Sequence, residues 1–276
     1  MEYVGQDLLS YQGYIFDLDG TIYRGSRLLP GADRAVNTLR SRGKRVLFLS
    51  NKPIESREAY AAKLTRLGIE ASVEDVVNSS LVTAACVAAQ APGATVYCIG
   101  EAPLLEELKA AGLVITEDPL RAQFLVVAFD RDFHYKKLHG AMLALRNGAR
   151  YFATNPDRTC PVDGGEIPDC AGMMGAIEGV TGRRPETICG KPSPRMLQVA
   201  LDRLGFTAAD CLMVGDRLET DIQMGKDTGI RTALVLTGIT TRESLEASAV
   251  KPDYVLENVG EILTGASYHH RCEQKA

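Results

Sequence analysis

The most restrictive feature of this chain is an alternation of short, wholly apolar runs with segments of helical periodicity. "GYIFD" (13–17) precedes "GADRAVNTLRSR", where Ala32, Ala35, Val36 and Leu39 fall on one face and Gly43 supplies a stop. "RVLFLS" (45–50) leads into a second helical stretch near 56–67, closed by Gly68. Near the other end, Ser193 can cap a helix with Pro194 at its first position, running to about Leu204 before Gly205. "CLMVGD" (211–216), a helix through about Asp227, "TALVLTG" (232–238) and "YVL" (254–256) complete the series. Runs that are apolar throughout, rather than at every second position, predict strands buried on both faces. Strands that each feed a helix predict a parallel α/β sheet. The middle, 81–184, reads as its own set of strands and helices, from "TVYCIG" through "QFLVVAFD" to "GMMGAIEGV". The expected organisation is a core domain of 1–80 and 185–276 interrupted by a second α/β domain of 81–184.

Composition narrows the class. The chain has 276 residues, 45% of them hydrophobic, and a formal net charge of -4 without a basic block, which argues against a nucleic-acid surface. No apolar run approaches a membrane span, so no membrane partner is expected. "MEYVGQDLLSYQG" lacks the basic and apolar regions of a signal peptide. Seven cysteines, an odd number with no CxxC pair and mostly in apolar contexts, fit reduced thiols in a cytoplasmic protein. The tail "SYHHRCEQKA" is polar and expected to fray.

Four polar clusters sit at strand ends: "DLDGT" (17–21), "SNK" (50–52), "GKPSP" (190–194) and "GDRLETD" (215–221). In an open parallel sheet ligands bind beyond the carboxyl ends of the strands, so these clusters are expected to converge. Together they hold four carboxylates (Asp17, Asp19, Asp216, Asp221), the Lys191 ammonium, the Ser50 hydroxyl and the Asn51 amide. Carboxylates gathered in this way call for a cation. Hard oxygen donors suit Mg²⁺, which shares its coordination with water and phosphate. The lysine, serine and asparagine can serve the remaining oxygens of a phosphate. The four histidines lie in helical or terminal contexts and read as surface residues. A calcium loop starting at Asp17 is disfavoured, because Ile22 fills the glycine position and Leu28 the place of the closing glutamate. A Walker loop is disfavoured too, because no Ser or Thr directly follows Lys191.

"DLDGT", "SN", "GKP" and "GD…TD", in that order, resemble the haloacid dehalogenase superfamily of phosphotransfer enzymes over nearly the whole chain. The short step from Asp17 to Ser50 and the long one from Ser50 to Lys191, with "ATNPD" (153–157) and "CGKPSP" (189–194), resemble its NagD-like or p-nitrophenylphosphatase group. "DCAGMMGAIE" (169–178) resembles a sugar phosphatase of that group. The resemblance implies a Rossmann-like parallel-sheet core with an inserted α/β cap of the C2 type, and a possible homodimer. It implies that Asp17 is a nucleophile forming an aspartyl-phosphate and that Asp19 is the general acid and base. Mg²⁺ would be held by the Asp17 carboxylate, the Asp19 backbone carbonyl and Asp216, with Asp221 ordering the metal's surroundings. Ser50, Asn51 and Lys191 would hold phosphoryl oxygens. An acid at position 19 separates phosphatases from the dehalogenases and transport ATPases of the superfamily. "TNPDRTCP" (154–161) has the turn chemistry of an exposed loop. By resemblance it is also where such a cap presents a specificity loop, with Arg158, Thr159 and Cys160 as candidate contacts. Met173 and Met174 open an apolar helix and read as packing. The expected activity is Mg²⁺-dependent hydrolysis of small phosphorylated metabolites, sugar phosphates first. Phosphoryl transfer to another acceptor, as in a phosphomutase, and a non-catalytic metabolite-binding module are the alternatives.

Overall fold

The computed structural model describes residues 8–162 and 164–264. The polar tail, with His269, His270 and Cys272, lies outside the described residues, as do the first seven residues of the stretch read for a leader. Among the described residues two compact units form: 8–49, 60–76 and 197–264 in one, 50–59, 77–162 and 164–196 in the other. No helix among the described residues is long and apolar enough to cross a membrane.

The first unit is built on a six-stranded sheet in the order Tyr254–Leu256, Arg231–Val235, Cys211–Gly215, Gly13–Asp17, Arg45–Ser50, Val76–Asn78. The first five strands pair in parallel. All five residues of Gly13–Asp17 are buried, which is why the run is apolar without alternation. Tyr14, Phe16 and Leu18 point to one face and join Val36 and Leu39 of the helix Ala32–Ser41. That helix buries the four residues its periodicity marks, Ala32, Ala35, Val36 and Leu39. Burial of Val36 and Leu39 contributes about 1.5–3 kcal/mol each. From the central strand Gly13–Asp17 the chain builds outward one way through Arg45–Ser50, and later the other way through Cys211–Gly215. The carboxyl ends of Gly13–Asp17 and Cys211–Gly215 therefore flank the point where strand order reverses, the usual ligand crevice of such sheets.

The second unit has a five-stranded parallel sheet, ordered Thr187–Ile188, Arg150–Ala153, Phe124–Val127, Thr95–Ile99, Val114–Ile115. Its core joins Leu125, Val127 and Tyr151 of the sheet to Ala141 and Leu145 of the helix Tyr135–Arg146, and to Met173 and Ile177 of Cys170–Thr181. Met174 packs against the same core, so both methionines serve packing.

Two local expectations are corrected. The stretch 154–161 is not an exposed loop. Thr154 and Asn155 are fully buried, and Thr159–Val162 pairs antiparallel with Gly165–Pro168. Turn-forming polar residues can lie inside when side chains satisfy them, and Asn155 donates to both Asp157 and Asp169. The segment after Asp216 is not one regular helix either. The Asp221 and Ile222 amides both donate to the Arg217 carbonyl, a widened turn over Leu218–Ile222 before the helix Gln223–Thr228.

Candidate active site

Asp17 is the last residue of its strand, and Asp216 follows the neighbouring strand, whose Val214 is in register with Phe16. Parallel pairing at this register brings the two carboxylates to the same sheet edge. The widened turn adds Asp221. Oxygen atoms of Asp17, Asp216 and Asp221 all lie within 4.8 Å of one another, and all three residues are buried. Asp19 is partly exposed and its carboxylate stands outside this trio.

The backbone around the trio leaves no room for further side chains. A Cβ on Gly238 would stand 1.9 Å from the Asp216 carboxylate, and one on Gly215 would stand 2.3 Å from Asp221 Cγ. Gly20 takes φ 92°, a left-handed conformation that glycine accepts without strain, and faces Asp216 as well. The Ile239 amide donates to Asp216 Oδ2 at 2.7 Å, and the Arg217 amide to Asp221 Oδ2 at 3.1 Å. The Thr237 hydroxyl donates to the Gly20 carbonyl at 2.6 Å, fastening the loop after Asp17 to the loop after Arg231–Val235. Sequence reading did not single out Thr237, Gly238 and Ile239. Their only signal is their place directly after an apolar strand.

Burial pushes the Asp216 carboxyl well above the usual carboxylate range, and the charges of Asp17 and Asp221 add to the rise. Three like charges in so small a volume are costly, and a divalent cation among them would reverse the sign of that cost. An all-oxygen, buried, carboxylate-rich set fits a hard cation such as Mg²⁺.

In the second unit, Ser50 is buried at the end of Arg45–Ser50, and its hydroxyl accepts from the Lys52 amide at 3.2 Å. Lys191 is 3% exposed. Asn51 grips the backbone of Lys191 with both ends of its carboxamide. Oδ1 accepts from the Lys191 amide at 2.7 Å, and Nδ2 donates to the Lys191 carbonyl at 3.0 Å. The same Nδ2 donates to Asp157 Oδ2 at 3.0 Å. Both amide hydrogens are thus engaged within the protein, which marks Asn51 as a residue that positions Lys191. Gly190 has no space for a side chain, since a Cβ would stand 2.5 Å from the Thr154 carbonyl and 2.6 Å from Asn51 Oδ1.

A partly buried polar chain extends from this grip. Asp157 accepts from Asn51 and from Asn155 at 2.9 Å, and Asn155 donates onward to Asp169 at 3.1 Å. Asp169 caps the helix Cys170–Thr181, and burial raises its carboxyl above the usual value. Asn155, Asp157 and Asp169 escaped sequence reading as functional residues, although "ATNPD" carried part of the resemblance. Of the three candidate cap contacts, Arg158 is exposed, Thr159 partly exposed, and Cys160 buried at 3% exposure.

Comparison with known proteins shows the family. Residues 14–114 match a family model described as haloacid dehalogenase-like hydrolase, and residues 188–262 a second, HAD-hydrolase-like model. Over 254 residues the chain is 41% identical to the sugar-phosphatase AraL of Bacillus subtilis (strain 168), covering 92% of this chain and 93% of that protein. A p-nitrophenyl phosphatase from Archaeoglobus fulgidus superposes with a TM-score of 0.88 at 37% identity, covering 92% of this chain and 99% of that one. A glycerol phosphate phosphatase from Mycobacterium tuberculosis, solved in complex with magnesium, superposes with a TM-score of 0.87 at 32% identity. There the match covers 93% of this chain and 78% of the other.

Proposed function

Because the chain belongs to the haloacid dehalogenase-like hydrolases and is a phosphomonoester hydrolase among them, we propose that it hydrolyses sugar phosphates with the help of Mg²⁺, through a phosphoryl group carried on Asp17. The observation that carries this reading is the buried trio Asp17, Asp216 and Asp221 at the edge of adjacent parallel strands. Relatives named sugar-phosphatase and glycerol phosphate phosphatase support the substrate class, and the magnesium complex of the latter supports the metal.

Asp17, Asp216 and Asp221 would hold the ion, together with the main-chain carbonyl of Asp19. Bound there, Mg²⁺ would supply positive charge that lets an anionic nucleophile meet an anionic substrate. Asp17 attacks phosphorus and displaces the sugar oxygen, dividing one hard hydrolysis into two easier steps. Asp19 gives the departing oxygen its proton, then takes one from the water that cleaves the aspartyl-phosphate. Ser50 and Lys191 hold the phosphoryl oxygens, and Asn51 fixes the loop that carries Lys191. Asn51→Ala would leave the Lys191 amide and a carboxylate oxygen of Asp157 without that partner. The expected result is a fall of about 100-fold in kcat/KM for every substrate, with a stability loss of about 1–3 kcal/mol. Steady-state kinetics beside a thermal melt checks both. Unchanged kinetics in a destabilised protein would reduce Asn51 to a structural tie.

The metal assignment predicts that excess chelator abolishes phosphate release and that Mg²⁺ restores it. Ca²⁺, with its looser and higher coordination, should restore it poorly. The assay is release of inorganic phosphate from p-nitrophenyl phosphate and from a panel of sugar phosphates. Full turnover in excess chelator would sink the metal. Conversion of one sugar phosphate to its isomer without phosphate release would favour a mutase. The same panel run on Arg158→Ala and Thr159→Ala reads the hairpin's part in choosing substrate, since a residue that selects shifts kcat/KM between sugars while sparing p-nitrophenyl phosphate.

A further inference from the structure

The sheet of the second unit carries more at its carboxyl edge than the lysine loop and the hairpin. Four of its parallel strands end in one row: Ile188 stands in register with Ala153, Ala153 with Val127, and Val127 with Ile99. The loops beyond them start side by side. The Cys189 amide donates to the Ala153 carbonyl at 3.0 Å, Thr154 to Val127 at 2.9 Å, and Ala128 to Ile99 at 2.8 Å. Along this row the first loop bears Lys191, the second Asp157 and the hairpin, the third Arg131 and the fourth Glu101. Adjacent strands lie about 4.8 Å apart, so the lysine and Arg131 loops leave strands separated by roughly 10 Å. From Thr95–Ile99 the chain goes first to Val114–Ile115 on one side, then to Phe124–Val127 on the other. Glu101 and Arg131 therefore follow the two strands that flank the reversal of strand order, where such sheets form a ligand crevice.

The two side chains there are joined. The Arg131 amide and Nε donate to Glu101 Oε1 at 3.1 and 2.8 Å, and Nη2 donates to Oε2 at 2.6 Å. The loop beneath is fixed, because buried Asp130 accepts from the Asp132 amide at 3.0 Å and from Lys137 Nζ at 2.7 Å. Held in this way, the Arg131 side chain is still 59% exposed, and Nη1 has no partner among the described residues. Neither residue stood out in the sequence.

We propose that the Arg131–Glu101 pair is a substrate subsite that takes hydroxyl groups of the sugar while Lys191 holds the phosphoryl group. This rests on the sugar-phosphatase reading above. The Nη1 hydrogens can donate, and Glu101 Oε2 keeps a lone pair that can accept. Neighbouring sugar hydroxyls, each both donor and acceptor, can answer both. The hydrogen bonds from Arg131 hold the Glu101 carboxyl below its usual range, so the pair stays ionised near neutral pH. Its net charge is zero, which favours neutral hydroxyls over a second phosphate. A guanidinium standing alone would favour the phosphate. p-Nitrophenyl phosphate carries no hydroxyl beyond its ester oxygen and gains nothing from the pair.

The test measures kcat/KM for a panel of sugar phosphates and for p-nitrophenyl phosphate in the parent, in Arg131→Ala and in Glu101→Gln. Arg131→Ala should lower the ratio of the best sugar phosphate to p-nitrophenyl phosphate about 10- to 100-fold, through KM and not kcat. Glu101→Gln leaves the guanidinium charge without its counter-charge and should shift preference about 10-fold toward a sugar bisphosphate. An ion pair this exposed contributes little to stability, so both variants should melt close to the parent. A parent that hydrolyses sugar phosphates, with a ratio unmoved in Arg131→Ala, would overturn the subsite and leave the sugar-phosphatase reading standing. Equal losses on both kinds of substrate would overturn it too and make the pair a structural tie. A ratio moved by Arg131→Ala without the shift toward bisphosphate would uphold Arg131 as the contact and overturn the part given to Glu101. A parent that hydrolyses p-nitrophenyl phosphate but no sugar phosphate would overturn that reading and the subsite with it.

Discussion

Asp17→Asn is expected to remove phosphate release altogether, by at least about 10⁴-fold, and to remove covalent phosphate with it. An amide cannot attack phosphorus as the carboxylate does, and none of the other groups in the trio is aimed by the same strand end. Asp216 receives the Ile239 amide and Asp221 the Arg217 amide, so both are held by the backbone in other orientations. The substitution also changes stability in a direction that separates lost chemistry from lost fold. With carboxylate oxygens of all three residues within 4.8 Å, each ionised pair repels by on the order of 3 kcal/mol at an effective dielectric constant of about 20. Part of that is already avoided by the raised Asp216 carboxyl. Removing the Asp17 charge should therefore leave the metal-free protein as stable as the parent or more so, and should weaken its stabilisation by added Mg²⁺. Melting curves in chelator and in Mg²⁺, beside acid-quenched intact mass, read both effects. Phosphate mapped to another residue, or an Asp17→Asn protein that turns over substrate, would overturn the nucleophile assignment.

Much of this was legible in the sequence, for physical reasons that also mark where legibility ends. A strand buried on both faces must be apolar along its whole length, so Gly13–Asp17 and Cys211–Gly215 announced themselves. A charge at the end of such a strand must lie at the sheet edge, so Asp17 and Asp216 could be placed together before their partners were known. The buried face of Ala32–Ser41 followed from periodicity, and the extent of Pro194–Leu204 from its start and stop residues, in the same way. What stayed hidden depends on chain segments that meet only after folding. Nothing near Asn51 in the sequence tells that its amide closes on Lys191, or that Asp157 completes the grip. The composition of "TNPDRTCP" pointed to solvent because turn residues prefer it. Here Asn155 finds two carboxylates and stays inside. Cys160, counted as a candidate contact by its position in that stretch, turns inward once Thr159–Val162 pairs as a strand, while Arg158 remains exposed.

Asp19→Asn is expected to slow the enzyme by a factor that depends on the leaving group, and this dependence explains why the chain keeps two aspartates so close. The turn after Asp17 is tight. The Ile22 and Tyr23 amides both return to the Leu18 carbonyl, and the Gly20 amide to the Tyr23 carbonyl. Asp19 is partly exposed and is not one of the clustered carboxylates, in an environment unlike that of buried Asp17. Two carboxyls in different surroundings can divide two tasks, one attacking and one moving protons. A sugar alkoxide is a poor leaving group and needs the proton, so loss of Asp19 should cost sugar phosphates about 10²–10⁴-fold in kcat/KM. p-Nitrophenolate departs without much help, so its release in the first turnover should be slowed far less. The second half-reaction still needs a base to activate water. With p-nitrophenyl phosphate the Asp19→Asn enzyme should therefore show a burst of nitrophenolate followed by slow turnover, and accumulate phosphate on Asp17. Rapid-quench kinetics with peptide mapping tests this. Equal losses for sugar and nitrophenyl substrates, or sugar-phosphate turnover undiminished by the substitution, would remove Asp19 from proton transfer and leave it a residue of the turn.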